Sequence, residues 1–507
     1  MVTRRSFLQT SAAALAQNRE SARPNLLLII SDQLNAAVTS AYGGPLPTPN
    51  LERLARRGVL FRNATCPTPF CSPSRASLVT GLYPHKHGIV YNCMRVDYPA
   101  VGSKTADEGI TQSDVTTDKI LHAAGYETHQ YGKWHLSGDS LPYYPDQYGE
   151  CREYAGEMAT VFEQVRRRPR EQWMDWYGWA LPVSVDAAYR QTWSADDRIE
   201  GNPRLRDFIT KMGKLEFART DTFDVRVADR TVKRLQSLDS RPFSITCSLM
   251  WPHDPNVVPA EYYARTDPAK IELPANGGVR EARFENDVSR QMVARHTEAR
   301  LREFLRIYYG TVHVIDEQVG RVLDALEQSG RADNTIVIFT ADHGDMAGGH
   351  GMAWKSTQAF YDEIARIPMI ISWPGRIAPG NTDAAASLVD LAPTILELTG
   401  HSVPSSMQGA SLASTLRGKS SASRFVYGFS ERVHANAQRT RAVARDTKAE
   451  RMIRGGGWKY VRYSDGSEFL YDLDKDPGET RNLAEERSQQ ARKRELEGQM
   501  RAWLDRT

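Results

Sequence analysis

Apolar runs and amphipathic segments alternate along most of the chain. Residues 25–30, 243–250 and 334–340 are dominated by apolar and β-branched side chains, which is typical of strands buried on both faces. Further strands are predicted at residues 59–66, 126–132 and 368–375, and helices at residues 48–58, 74–80, 118–125, 223–238, 300–328 and 390–400. This alternation of strands and helices predicts an α/β fold with a large, mostly parallel sheet flanked by helices.

Two regions depart from this rhythm. Residues 137–205 are rich in aromatic side chains and show little periodicity, which predicts an insertion at the rim of the sheet. After about residue 405, short alternating segments are separated by Gly-rich turns and followed by a charged helix, which predicts a smaller antiparallel α+β subdomain. We therefore expect a main α/β domain over residues 24–404 and a C-terminal subdomain over residues 405–507.

The composition of the 507 residues adds two constraints. Lys and Arg number 65 against 62 Asp and Glu, so net charge favours neither a nucleic acid nor an anionic membrane as partner. The basic cluster at residues 166–170 is short, and a solvated surface turn explains it. The sequence contains no run of 18 apolar residues, so no transmembrane segment is predicted.

The first 23 residues form a separate segment in this interpretation. Arg4 and Arg5, a short stretch of small apolar residues and the Ala14-Leu15-Ala16 triplet occur in the order of a twin-arginine export signal. A disordered basic tail is the alternative. The export signal predicts a periplasmic or secreted protein.

Five cysteines are present at positions 66, 71, 93, 151 and 247. An odd number in an exported protein leaves at least one unpaired, and none forms a CxxC zinc pair. With Cys71 set aside, the other four allow up to two disulfides in three connectivities, or they are buried thiols. Both alternatives stay open at the level of the sequence.

Polar, chemically active residues follow most of the predicted strands. They are Asp32 and Gln33, Cys71, Lys133 and His135, His253, and Asp342 and His343. Each alone has a simpler explanation, such as a turn, a cap or a buried structural side chain. Because ligands of open parallel sheets bind at the carboxyl ends of the strands, their coincidence predicts one shared site.

The residue types favour a hard cation and an anionic substrate. Asp32 and Asp342 supply charge, Gln33 a carbonyl oxygen and His343 a nitrogen, a set that suits Ca²⁺, with Mg²⁺ or Mn²⁺ as alternatives. The basic groups expected around it are Arg75, Lys133, His135, His253 and Lys355. A cation and basic groups around one nucleophile suit a tetrahedral oxyanion ester.

Several motifs resemble those of one family. The stretch CSPSR at residues 71–75 resembles the C-x-P-S-R signature of type I sulfatases, in the alkaline phosphatase superfamily, and GYETHQYGKWHL at residues 125–136 resembles their second signature. The segments at residues 24–33, 250–255, 339–371, 390–400 and 470–484 are similar to the family in the same order. The resemblance extends from residue 24 to about residue 483.

This resemblance implies a specific chemistry for Cys71. In the family, a formylglycine-generating enzyme reads the motif through Pro73 and Arg75 and oxidises the cysteine to Cα-formylglycine. The aldehyde hydrates, one hydroxyl attacks sulfur, and the other later expels sulfate. The metal ligands implied by the resemblance are Asp32, Gln33, Asp342, His343 and the modified Cys71.

The resemblance also implies roles for the basic residues. Arg75 would hold the hydrated aldehyde, and Lys133 and Lys355 would bind sulfate oxygens. His253 would protonate the leaving alcohol, and His135 would take the proton when the enzyme is regenerated.

The expected activity is therefore hydrolysis of a sulfate ester. Aromatic residues of the 137–205 insertion and the expected export favour a sulfated sugar as substrate. Gln33 stands where many members of the family have Asp, which removes one negative charge and keeps a phosphonate monoester or phosphodiester hydrolase as an alternative. A third hypothesis is a catalytically silent protein that binds sulfated glycans.

Overall fold

The computed structural model describes residues 23–93, 109–136, 154, 156–169, 172–176, 179–184, 212–287, 289–290, 293, 297–356, 358–418, 427–433 and 449–507. The predicted export signal lies outside these residues except for Arg23. So do Cys151, Trp193 and most of the predicted insertion at 137–205.

A seven-stranded sheet forms the centre of the fold, in the order β11-β2-β10-β9-β1-β7-β3. Its strands are β1 (Asn25–Asp32), β2 (Val59–Thr65), β3 (Glu127–Gly132), β7 (Phe243–Pro252), β9 (Thr335–Ala341), β10 (Met369–Ser372) and β11 (Gly380–Ser387). β1 pairs in parallel with both β7 and β9, while β10 runs antiparallel to β9 and β2. This confirms the predicted large, mostly parallel sheet.

Strand β1 shows why the apolar runs do not alternate with polar residues. All eight residues of β1 are buried, because neighbouring strands cover its edges and helices cover both faces of the sheet. β11, by contrast, is largely polar and borders the sheet only on the β2 side. Its sequence carries no apolar run, so it was not predicted.

Twelve helices are found in the described part of the chain. They are α1 (Pro49–Ala55), α2 (Cys71–Thr80), α3 (Pro84–His87), α4 (Thr117–Ala123), α5 (Ala159–Arg166), α6 (Phe223–Gln236), α7 (Ala260–Tyr263), α8 (Glu298–Gln328), α9 (Asp362–Ala365), α10 (Leu391–Leu398), α11 (Ala413–Leu416) and α12 (Gln490–Arg506). α2 begins three residues before the predicted start, at Cys71, and ends at Gly81, whose φ of +66° suits a glycine cap.

The long helix α8 also organises its neighbours. Its start is capped by the Thr297 hydroxyl, which accepts a hydrogen bond from the Arg300 amide. Farther along, the buried Asp316 carboxylate accepts the backbone N–H groups of Asn50 and Leu51 at 3.1 and 2.9 Å. Asp316 thereby satisfies donors at the start of α1 that the helix itself leaves unpaired.

A second, antiparallel sheet contains β12 (Gly428–Val433), β13 (Ala449–Gly455), β14 (Trp458–Arg462) and β15 (Glu468–Asp472). Its side chains alternate between two apolar clusters, since neighbouring residues of a strand point to opposite faces. Met452 packs with Phe284 and Met346 of the main body, whereas Ile453 packs with Trp503 of α12. The predicted C-terminal antiparallel sheet is confirmed, and the domain boundary at residue 405 stays a prediction.

A third, smaller sheet has the order β4-β5-β6-β8, with β4 (Trp173–Trp176), β5 (Trp179–Ser184), β6 (Gly213–Leu215) and β8 (Val257–Pro259). It joins part of the predicted insertion to the segment that follows β7. None of the helices in the described part of the chain combines the length and the apolar character needed to cross a membrane.

Candidate active site

Two strand ends and one helix start meet at a single point. Asp32 is the last residue of β1, Asp342 and His343 follow β9, and Cys71 is the first residue of α2. The residues that precede Asp32 and Asp342 pair across β1 and β9, so the parallel register brings the two carboxylates side by side. One donor atom from each of the four residues lies within 4.8 Å of the others, and all four side chains are buried.

Arg75 ties these elements together. Lying one helical turn after the start of α2, it donates from Nε to Asp342 Oδ2 at 2.8 Å and from Nη2 to Asp32 Oδ2 at 3.0 Å. Nη1 donates to the Ser248 hydroxyl at 2.8 Å and to the Lys133 carbonyl at 3.0 Å. One buried guanidinium therefore contacts four groups from the ends of β1, β3, β7 and β9.

The charge of Asp32 is strongly stabilised. Lys133 Nζ lies 2.6 Å from its Oδ2, in addition to the Arg75 contact. Burial acts to raise the pKa of Asp32, but the surrounding positive charges, Lys133 first among them, hold that pKa far below its usual value. Asp32 is thus ionised near pH 7.

The pKa values of Asp342 and His343 both lie above their usual range, in part because negative charges surround them. Burial and then the charge of Asp32 raise the pKa of Asp342. Burial lowers the pKa of His343, but the neighbouring Asp342 and Cys71 raise it to about 9 overall. A divalent cation placed among these groups would neutralise the charge that otherwise retains a proton.

The donor set fits such a cation. The His343 Nδ1–H donates to the Gly344 carbonyl at 2.9 Å, an arrangement that leaves Nε2 as the ligand atom. Gln33 donates from Nε2 to Asp345 at 2.6 Å, and its buried Oε1 has no hydrogen-bond partner among the described residues. Ligands bound at about 2.0 to 2.6 Å from one ion lie at most about 5 Å apart, as these atoms do.

Cys71 faces three basic side chains. Its Sγ lies 3.2 Å from His343 Nε2 and 3.3 Å from Lys355 Nζ, and it also accepts a hydrogen bond from His135. Burial alone would raise the pKa of the thiol, but Lys133, Lys355 and His343 lower it well below its usual value. The position therefore stabilises an anionic nucleophile.

His135 is held in an unusual conformation. Its φ is +60°, and its carbonyl accepts a hydrogen bond from the Ser72 hydroxyl at 2.6 Å. Burial lowers the pKa of His135 to about 4, so the imidazole is neutral near pH 7 and able to accept a proton.

His253 and Lys355 complete the cluster. His253 follows β7, and its Nε2 lies 2.7 Å from Lys355 Nζ. All ten residues predicted from the sequence thus belong to one connected network of contacts: Asp32, Gln33, Cys71, Arg75, Lys133, His135, His253, Asp342, His343 and Lys355.

The sequence interpretation missed four contributors. Ser248 binds Arg75, Asp345 binds Gln33, and Asp254 contacts both His253 and Trp354. Burial raises the pKa of Asp345 to about 6, although hydrogen bonds from the Ala347 backbone N–H and the Gln33 amide act to lower it. Asp345, Asp254 and Trp354 each lie within two residues of a predicted site residue, and that proximity was the available signal.

Family models match nearly the whole chain. Residues 24–401 match the model described as Sulfatase, and residues 348–505 match the one described as N-sulphoglucosamine sulphohydrolase, C-terminal.

Individual proteins are similar over most of their length. An N-acetylglucosamine-6-O-sulfatase of Bacteroides thetaiotaomicron is 28% identical, with 94% of this chain and 85% of the relative covered. A choline-sulfatase of Rhizobium meliloti is 28% identical, with 91% and 83% covered.

Solved structures agree in fold. A 2-O GAG sulfatase has a TM-score of 0.68 at 25% identity, covering 95% of this chain and 91% of that one. The phosphonate monoester hydrolase of Agrobacterium radiobacter has a TM-score of 0.74 at 22% identity, covering 95% and 96%.

Proposed function

The chain belongs to the sulfatase family, and from this premise we propose that it hydrolyses sulfate esters of a carbohydrate, with Cys71 oxidised to formylglycine. The observation that carries the proposal is the surroundings of Cys71. A buried, oxygen-rich donor set lies on one side of its Sγ, and the Lys355 ammonium lies 3.3 Å away on another. Such surroundings suit a tetrahedral, anionic reacting group.

We assign a divalent cation to the donor set, as the family generally uses one. Its ligands would be Asp32, Gln33, Asp342, His343 and the modified Cys71. Ca²⁺ is the proposed ion because oxygen atoms predominate, and Mg²⁺ and Mn²⁺ are the alternatives. When bound, the cation supplies electrostatic stabilisation to a sulfate oxygen and to the nucleophile.

Formylglycine supplies a hydrated aldehyde as nucleophile, and the protein provides the groups around it. Arg75 holds the two carboxylates in place and opposes the rise in the pKa of Asp342. Lys133 and Lys355 bind oxygens of the sulfate group and offset its charge. Because each is buried beside a negative charge, the pKa of each lysine lies above its usual value despite the opposing effect of burial.

Two histidines move protons in this scheme. His253, whose Nε2 lies 2.7 Å from Lys355 Nζ, donates a proton to the leaving alcohol. His135, hydrogen-bonded to Cys71 and neutral near pH 7, accepts the proton released when the nucleophile is regenerated.

The substrate class rests on the relatives. Several of them are named for sulfated sugars, including an N-acetylglucosamine-6-O-sulfatase and a delta 4,5-hexuronate-2-O-sulfatase of Bacteroides thetaiotaomicron. Export through a twin-arginine signal in residues 1–23 would bring the enzyme to such extracellular glycans. Fusion of these residues to a reporter should direct it to the periplasm only in cells with a working twin-arginine translocase.

A second candidate function follows from Gln33. An amide at this position leaves one negative charge fewer beside the cation than a carboxylate would. Phosphonate monoesters and phosphodiesters carry the same single negative charge as a sulfate monoester and present a similar tetrahedral group, so they are the alternative substrates of this site.

The deciding experiment combines mass and turnover. The chain is expressed together with a formylglycine-generating enzyme, and the tryptic peptide that contains Cys71 is weighed. We expect it to be about 18 Da lighter than the thiol form. Rates are then compared on matched aryl sulfate and aryl phosphonate esters.

Faster sulfate hydrolysis supports the proposal, and faster phosphonate hydrolysis supports the alternative. An unchanged thiol despite a competent modifying enzyme would overturn the mechanism. Tight binding of sulfated glycans without turnover, after confirmed conversion, would identify a silent binding protein instead.

A further inference from the structure

Two loops at the edge of the site are joined in a closed ring of contacts. His253 Nδ1 lies 2.8 Å from the carbonyl oxygen and 3.1 Å from the Oδ1 of Asp254. The indole Nε1–H of Trp354 donates to the same Oδ1 at 2.9 Å. Trp354 precedes Lys355, whose Nζ returns to His253 Nε2 at 2.7 Å.

The carboxylate in this ring is unusually enclosed. Asp254 is 1% exposed, and burying an ionised carboxylate costs free energy unless polar partners compensate. The contacts from His253 and Trp354 both go to one oxygen, Oδ1, and connect the loop after β7 to the loop after β9. An amide or an apolar side chain at position 254 would fill the same space without the cost of desolvating a charge. Packing alone therefore does not explain a carboxylate there.

Trp354 is constrained in two ways. Its φ is +70°, in the left-handed region that bulky residues rarely adopt, so the surrounding contacts must stabilise it. Lys355 Nζ also lies 4.9 Å from the centroid of its ring, within the range of a cation–π contact. The indole therefore orients both the carboxylate and the lysine.

We propose that Asp254 is a positioning residue that holds His253 as the proton donor to the leaving group, an inference that rests on the proposed function. The Nδ1–H of His253 donates to the Asp254 backbone carbonyl at 2.8 Å and lies 3.1 Å from the carboxylate Oδ1, so the imidazole presents Nε2 to the reacting centre. A proton on Nε2 makes an imidazolium, and the adjacent carboxylate stabilises that charge.

A bond forms between sulfur and the deprotonated attacking oxygen while the bond between sulfur and the leaving oxygen breaks. The electron pair of the broken bond stays on the leaving oxygen. The oxygen takes the proton from His253 Nε2, which leaves a neutral imidazole with its hydrogen on Nδ1. Asp254 takes up no proton in this step, and only its interaction with the ring changes.

The test is Asp254→Asn, measured on two sulfate esters that differ in leaving group. With the amide oxygen in place of Oδ1, this variant keeps the contacts to His253 and Trp354 and loses the charge. Turnover of an alkyl sulfate should fall about tenfold or more, a part of the roughly 10²- to 10⁴-fold that a general acid contributes. Turnover of 4-nitrophenyl sulfate should change less than about twofold, because 4-nitrophenolate leaves without protonation. KM should change little in both cases.

Asp224→Asn is the matched control. Asp224 is a buried carboxylate at the same strand end, and it accepts the backbone N–H groups of Met250 and Trp251 without contacting His253. Any loss in this variant should be equal on the two esters. All rates are divided by the formylglycine content of the Cys71 peptide, which corrects for incomplete modification.

Equal losses on the two esters in Asp254→Asn, or no loss on either, would overturn the inference. A wild-type protein that is converted to formylglycine yet inactive on both sulfates would overturn the proposed function itself. The two failures are distinguishable. Failure of the inference shows in the Asp254→Asn variant, whereas failure of the proposed function shows in the wild type.

Discussion

The replacement Lys459→Met tests how the C-terminal sheet is attached to the main body. Lys459 lies on β14 and is fully buried. Its Nζ lies 2.6 Å from Asp362 Oδ1, 2.7 Å from Glu479 Oε1 and 3.0 Å from the Phe360 carbonyl. Asp362 and Phe360 belong to the segment that follows the Lys355 loop, so this ammonium joins the two parts of the protein.

The expected loss of stability depends on how the acidic partners of Lys459 are stabilised once the ammonium is removed. Breaking a buried ion pair costs about 3 to 5 kcal/mol, because a charge is left without its partner. Asp362 keeps two hydrogen bonds from Arg454, at 2.8 and 2.9 Å. Burial raises the pKa of Glu479 to about 8, so that this group takes up a proton at little cost. We therefore expect a loss at the lower end, about 3 kcal/mol.

Lys475→Met is the matched control. Lys475 Nζ lies 2.7 Å from Asp472, the same distance as in the buried pair, but its side chain is 83% exposed. Exposed pairs contribute about 0 to 1 kcal/mol. The free energy of unfolding, measured in urea near pH 7 for both variants, should fall at least about three times more for Lys459→Met. Similar losses in the two variants would refute the argument that burial decides the magnitude.

Three further predictions concern the nucleophile, the cation and pH. Cys71→Ala should abolish turnover and leave the unfolding temperature nearly unchanged, since a small side chain replaces a small one; near-normal activity would contradict the assigned nucleophile. Removal of divalent cations with EDTA should lower the unfolding temperature, and Ca²⁺ at about 100 times its Kd should restore about 2.7 kcal/mol; an unchanged temperature would contradict the assigned cation site. Burial raises the pKa of Asp390 from 3.8 to about 7 in the folded protein. The stabilisation that its proton provides is therefore complete below about pH 4, declines as pH rises and is lost above about pH 7. Relative to Asp390→Asn, the wild type should therefore lose up to about 1.4 kcal/mol per pH unit over that range in urea unfolding, and a constant difference would refute it.

The sheet was predictable wherever burial on both faces leaves a continuous apolar run. β1, β7 and β9 were found for that reason, and the register between β1 and β9 then placed Asp32 beside Asp342. β10 was predicted as a strand, but its antiparallel direction was not, because the same apolar run suits either direction. β11 was missed since its sequence has no long apolar run, and it is joined to β2 by backbone pairing together with side-chain contacts such as that from Asn63 to the Asp383 carbonyl.

The contacts between loops could not be predicted from the sequence. Asp254 and Trp354 are 100 positions apart, and nothing in the sequence indicates that they share a hydrogen bond. The predicted insertion at residues 137–205 lies mostly outside the described residues, so its role at the rim of the sheet stays a prediction.

The sequence by itself determined the fold class and the residues at the strand ends. Strands need apolar runs, parallel strands need helical connections, and the reactive residues follow the strands directly, so local pattern was sufficient. Only the tertiary structure decided the charge balance of the site. The position of Arg75 between two carboxylates, the state of His343 and the ring through Asp254 depend on distances between distant segments. Electrostatic interactions in a buried site vary steeply with such distances, and these are fixed only when the whole chain packs.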